Sequence, residues 1–385
     1  MQEKNALTTK FSFLAVAIYS VGMFGCSHLS KIEILEPSEI LWVETDDAWR
    51  LAVHHFAPNS LVKARRFPVI LCHGLGGNRS NWNLTEDLSV PIYLSEQGFD
   101  VYLVELRGSG LSSTPSVWND YSFNFSIDDH INYDAPALVN FVKDYTGSPQ
   151  VHWVGHSMGS MVMYGYLQKF QNHGVRSLVG AGSPGIVIPA TEVVELGRRM
   201  LIEFMESQTI GIPAEFLIRA GSAFAHPGWL SSMHTVWNYD NISPQVARRA
   251  AAHAVEDLSP RVLGQFFRSA DVGAFVSADG EYNYTEGLRK ITVPTMLMAG
   301  VMDQLAPPGS LLEVYRRIQS PEKEFHLLGK AYGFSRDYGH VDMVMGKTAP
   351  AEVFPLIADW LVRMDEADDS VLVESIGENV HVSGS

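Results

Sequence analysis

From about residue 66 to residue 183 the sequence alternates short, almost wholly apolar runs with longer amphipathic ones, and few folds satisfy that rhythm. PVILC, DVYLVEL, VHWVG and SLVGAG are short for helices and lack the polar positions of a half-exposed strand, so they read as strands buried on both faces. Between them, EDLSVPIYLSEQG, DDHINYDAPALVNFVKDYTG and SMVMYGYLQKF read as helices. Upstream, EILWVE and WRLAVHHF form a candidate antiparallel pair. The alternation resumes with TMLMAG, SLLEVYRRI, EFHLLG and PAEVFPLIADWL. Strands alternating with helices imply an α/β class: a mostly parallel sheet, here of eight strands, covered by helices on both faces.

Residues 191–290 break the rhythm. TEVVELGRRMLIEFMESQTIGIP has helical spacing, and FLIRAGSAFAHPGWLSSMHTVWNYD after it is rich in Phe, Met and Trp. A hundred residues inserted between two sheet strands make a subdomain, expected to be a helical cap over a core of residues 40–190 and 291–364. Most of its aromatic residues are expected simply to be its own core.

The ends carry a different signal. MQEKNALTTK is followed by FSFLAVAIYSVGMFG, fifteen uncharged residues, and then Cys26. A bilayer span needs about 20 apolar residues, so residues 1–26 are expected to be a signal segment rather than an anchor. Met23-Phe24-Gly25-Cys26-Ser27 resembles a bacterial lipobox, which implies lipidation of Cys26, attachment to a membrane, and export to the outer membrane or the periplasmic side. Residues 27–39 read as a linker. Six acids and no Lys or Arg fall in residues 365–385, expected to be a disordered acidic tail. Cys72 is expected to be buried and free, since a lipidated Cys26 cannot pair with it. A net charge of 28 − 43 = −15 argues against nucleic acid as a partner, because a polyanion needs a basic stripe.

The chemistry concentrates at four places. Gly155-His156-Ser157-Met158-Gly159 is a G-x-S-x-G sequence where the strand VHWV turns directly into a helix. So sharp a turn excludes flanking side chains and lifts Ser157 to the sheet's edge, beside the first free amides of the helix. Met158 N–H then supplies one oxyanion donor. A second is expected from the glycine-rich loop His73-Gly74-Leu75-Gly76-Gly77 after FPVILC, with Leu75 N–H as the donor. A serine nucleophile needs a base, and the base an orienting acid. Asp303 follows the strand TMLMAG, and His340 follows the last strand in DYGHVD. Asp337 and Asp342 flank His340 as alternative acids, but so short a separation rarely lets a carboxylate reach the far ring nitrogen. His73 and His156 sit on turns next to Gly74 and Ser157. Glu105-Leu106-Arg107-Gly108-Ser109-Gly110 is expected to shape a loop. No P-loop or zinc-ligand spacing occurs, and the chemistry requires no cofactor.

HGLGG, RGSG, GHSMG, the Asp of GVMDQLAPP and the His of GHVDM resemble the α/β-hydrolase superfamily over residues 35–365. SFNFSIDDHINYDAPALVNFVKDYTGSPQVHWVGHSMG and GHVDMVMGKTAPAEVFPLIADWL are similar to the acid lipase family, the gastric and lysosomal type. That resemblance implies Ser157 as nucleophile, Asp303 as acid, His340 as base, Leu75 and Met158 as oxyanion donors, and lipid or small acyl esters under a mobile cap. Met158 stands where those lipases usually have Gln, and the cysteines common in the animal proteins are absent. GVMDQLAPPGS also resembles polyhydroxyalkanoate synthases, which use Cys where this chain has Ser157. The expected function is a serine carboxylic-ester hydrolase, a lipase or esterase. The rivals are an acyltransferase or polyester depolymerase using the same three residues, and a non-catalytic binding lipoprotein.

Overall fold

The computed structural model describes residues 36–116, 118–187, 205, 207–215, 218 and 235–367. The expected signal segment with Cys26, most of the linker, residues 368–385 and much of the cap lie outside them.

Eight strands form one sheet: β1 (Glu39–Glu44), β2 (Arg50–Phe56), β3 (Val69–Cys72), β4 (Val101–Glu105), β5 (Val151–His156), β6 (Val175–Ala181), β7 (Thr295–Gly300) and β8 (Lys323–Leu328), in the order β1-β2-β4-β3-β5-β6-β7-β8. β2 runs antiparallel to both of its neighbours, and every later pairing is parallel. The sheet expected from the alternation is therefore present, led by the antiparallel pair EILWVE and WRLAVHHF.

Because successive side chains leave a strand on opposite faces, each central strand feeds two cores. Tyr102 and Val104 of β4 join the core beneath α2 (residues 127–146) and α3 (Met158–Lys169). Val101 and Leu103 join the core beneath α1 (Val90–Glu96) and the last helix. That is why the runs are apolar throughout rather than alternating.

α2 spans Ile127–Asp129, a wide π turn at His130–Asp134, and Ala135–Thr146. The π turn has a local cause. Pro136 has no N–H and its ring crowds the carbonyl one turn back, so the helix widens, and Ala135 N–H bonds instead to His130 O, five residues back. Of the cap, α4 (Pro244–His253) and α5 (Pro260–Val272) are described, each capped by a serine, Ser243 or Ser259. α6 (Pro308–Arg317) packs beside β7 and β8, and α7 (Ala349–Glu366) closes the chain.

Two boundaries differ from expectation. α7 runs past the expected start of the tail at residue 365, because Asp365 is buried and its carboxylate accepts the Arg66 and Phe67 amides at 2.9 Å. Phe275 and Tyr284, placed with the cap by sequence, instead pack in the core under α3. Cys72 is free and buried, and burial pushes its thiol well above the ordinary range. Among the described residues no helix is long and apolar enough to cross a membrane.

Candidate active site

Ser157 joins β5 to α3 with φ 52° and ψ −122°. A non-glycine residue pays about 1–3 kcal/mol for such a backbone, so the surrounding structure must enforce it. It does so through close packing. A Cβ on Gly159 would lie 2.6 Å from the carbonyls of Cys72 and His73, and one on Gly155 would overlap Ser160. Ser157 N–H is anchored to Ala181 O at 2.8 Å, which ties the turn to the end of β6.

Asp303 and His340 leave the adjacent ends of β7 and β8, both nearly fully buried. His340 Nδ1 lies 2.8 Å from Asp303 Oδ2, while Asp303 Oδ1 accepts Leu305 N–H at 2.9 Å and Ala306 N–H at 2.8 Å. Each oxygen of the carboxylate therefore has a fixed task. Gly182, next to Ala181, passes beneath this pair: an added Cβ would sit 3.1 Å from His340 Nδ1 and 3.2 Å from Asp303 Oδ2. Only a glycine lets the end of β6 pass so close. Ser157 Oγ and His340 Nε2 have no hydrogen-bond partner among the described residues.

Leu75 and Met158 line one cavity of about 20 Å³, and neither N–H donates to an acceptor among the described residues. A Cβ on Gly74 would lie 3.0 Å from Ser157 Cβ, so the loop bearing Leu75 runs directly beside the serine. Asp257, Leu258, Ser259 and Val262, from the inserted segment, line the same cavity. Glu256 N–H bonds Gly76 O at 2.8 Å, and Ser259 Oγ donates to Phe123 O at 2.9 Å.

The alternative residues are engaged elsewhere. The Asp337 carboxylate accepts Lys330 N–H, and that of Asp342 accepts amides of Gly339 and Asn238 and the Asn241 side chain, joining the His340 loop to the cap. His73 contacts Gly74 O through Nδ1 and accepts Leu106 N–H at Nε2. Burial pushes His156 down to about 3, so its ring is neutral and carries one N–H for two oxygens, Asn81 Oδ1 at 3.0 Å and His340 O at 3.1 Å. Its ring packs 4.8 Å from that of His340. Among the described residues no cluster of ligating side chains could hold a metal ion.

One network was not legible in the sequence. Arg107, read there only as part of a loop, is buried and donates to Asp134 Oδ1 at 2.8 Å and to both oxygens of Asp47. Asp134 Oδ2 takes His130 Nδ1 at 2.7 Å. Burial works against the Asp134 charge, but Arg107 and His130 outweigh it and hold the carboxyl below its usual range. The available signal was His130 and Asp134, four residues apart on a helix face otherwise apolar at Ile131, Leu138 and Val142.

Glu256 gives the cap a pH dependence. Burial, with Glu215 and Glu105 nearby, raises its carboxyl above the ordinary range, partly offset by the Asn78 amide. A raised folded value means that stabilisation is complete in acid and is lost as pH rises through that value. The Glu256→Gln protein is therefore expected to match the wild type in Tm at about pH 4 and to exceed it by a growing margin as pH rises above the ordinary carboxyl range. A difference that does not grow with pH would contradict the assignment.

The sequence pattern of the alpha/beta hydrolase fold family matches residues 68–340. Human lysosomal acid lipase/cholesteryl ester hydrolase is 39% identical over 134 residues, 33% of this chain and 33% of that protein. The chain thus spans about a third of the length of the first relatives it matches. Human gastric triacylglycerol lipase is 24% identical over 397 residues, covering 90% of this chain and 96% of the relative. The crystal structure of a monoacylglycerol lipase from Paleococcus ferrophilus shares the fold with a TM-score of 0.56 at 15% identity, covering 82% of this chain and 99% of that one.

Proposed function

The chain belongs to the alpha/beta hydrolase fold family, and on that footing we propose that it is a serine carboxylic-ester hydrolase acting on lipid or other acyl esters. Ser157 Oγ attacks the ester carbonyl while His340 Nε2 takes its proton. Asp303 holds the imidazole with its hydrogen on Nδ1 and stabilises the cation that forms. The Leu75 and Met158 amides receive the oxyanion, and His340 then protonates the leaving alcohol and activates the water that releases the acid.

One observation carries this reading. The strained turn at Ser157 has two amides without acceptors beside it, and the Asp303–His340 pair converges on the same sheet edge. A backbone cost of this kind persists where the fold enforces it, and it cluster at functional sites. Lipid esters are favoured as substrates because the relatives named above are lipases by name. The finer proposal for the N-terminus is export through residues 1–26 with lipidation at Cys26, which would hold the enzyme at a membrane; the apolar run FSFLAVAIYSVGMFG supports it.

Hydrolysis of p-nitrophenyl esters with acyl chains of four to sixteen carbons tests the function. Turnover is expected, with kcat/KM rising along the series for a lipase. A folded protein that turns over no member of the series, with glycerol present or absent as an alternative acceptor, would contradict the proposal.

A further inference from the structure

The cavity shared by Leu75 and Met158 has a third polar wall that the proposed chemistry does not use. His130 lines it, from the π turn of α2. The ring is 2% exposed, and its Nδ1 is committed to Asp134 Oδ2 at 2.7 Å. Its Nε2 has no hydrogen-bond partner among the described residues, and it is not among the fully enclosed unpaired atoms, so that edge of the ring is left to the cavity.

The surroundings set the chemistry of that nitrogen. Asp134 is an acceptor, so the hydrogen of the neutral ring lies on Nδ1 and a lone pair remains at Nε2. Arg107 donates to Asp134 Oδ1 and to both oxygens of Asp47, so the ring is held in place by a hydrogen-bonded network.

We propose that His130 is a specificity-determining residue whose Nε2 accepts a hydrogen bond from a free hydroxyl on the ester substrate, close to the reacting carbonyl. The inference rests on the ester-hydrolase reading above. The substrate class is hydroxyl-bearing esters, with the hydroxyl on either the acyl chain or the alcohol. A substrate lacking it leaves a buried acceptor unpaired, and sites built to pair a substrate hydroxyl discriminate strongly against analogues without one.

Two pairs of esters separate the two sources. The acyl arm compares p-nitrophenyl 3-hydroxybutyrate with p-nitrophenyl butyrate. The alcohol arm compares glycerol monobutyrate with its dimethyl ether. In one arm the wild type is expected to favour the hydroxyl-bearing ester by about tenfold or more in kcat/KM. His130→Leu should bring that ratio close to one, and His130→Gln, which keeps an acceptor, should retain part of it. These ratios do not depend on how much of a preparation is folded. Should the leucine form yield no active protein, His130→Asn, which withdraws the acceptor, is expected to reduce the same ratio. No wild-type preference in either arm, or a preference that survives in the leucine or asparagine form, overturns the role of His130 alone. Failure of the wild type to hydrolyse any of the four esters overturns the ester-hydrolase reading, and this inference with it.

Discussion

Replacing Ser157 by alanine is expected to lower kcat for p-nitrophenyl butyrate by at least ~10³-fold, with the fold retained. The expectation has two parts. Chemically, Oγ is the atom proposed to form the acyl bond, and neither His73 nor His156 can replace it, since both are tied to neighbouring backbone or side-chain groups. Structurally, Ser157 is held through its backbone, by the N–H bond to Ala181 O and by the packing of Gly155 and Gly159, and alanine leaves these intact. Circular dichroism and Tm should therefore stay near wild type while turnover collapses. Loss of activity together with loss of fold would point to a structural role instead.

Asp303→Asn is expected to cost ~10³–10⁴-fold in kcat with little change in KM. The geometry of the carboxylate explains why so small a change matters. Oδ1 accepts two amides, those of Leu305 and Ala306, so an asparagine must present its carbonyl oxygen to them. Its NH₂ then faces His340 Nδ1 in place of Oδ2. That nitrogen must supply a lone pair, the ring hydrogen moves to Nε2, and the base has no lone pair left for Ser157. Near-normal activity in this variant would remove Asp303 from the mechanism. The residual activity would then have to be traced to another acid, and Asp337 and Asp342 are both occupied by amides of their own loops.

Much of this was legible in the sequence because the constraints are local. PVILC, DVYLVEL, VHWVG and SLVGAG announce strands buried on both faces, and glycines at 155 and 159 announce a turn that admits no side chain. The pairing of Asp303 with His340 followed from chain order and from the ends of two strands. What escaped depends on contacts remote in sequence. Asp365 looked like the first residue of an acidic tail, and only the Arg66 and Phe67 amides, about 300 residues away, make it the end of a helix. Arg107 and Asp134 meet across 27 residues, and neither composition nor periodicity registers such a pairing. Gly182 read as part of an ordinary strand end, yet it is the residue that lets β6 pass under the Asp303–His340 pair. Within the expected cap, TEVVELGRRMLIEFMESQTIGIP lies mostly outside the described residues, and α4 and α5 were not legible as particular helices.

The measurement that reaches the central claim most directly is covalent labelling of the wild-type protein by a fluorophosphonate, followed by intact mass and peptide mapping. One phosphonyl group per chain is expected, on the peptide containing Ser157, with parallel loss of esterase activity and no labelling of Ser157→Ala. A folded protein that hydrolyses esters yet takes no label, or takes it on a residue other than Ser157, would contradict the account.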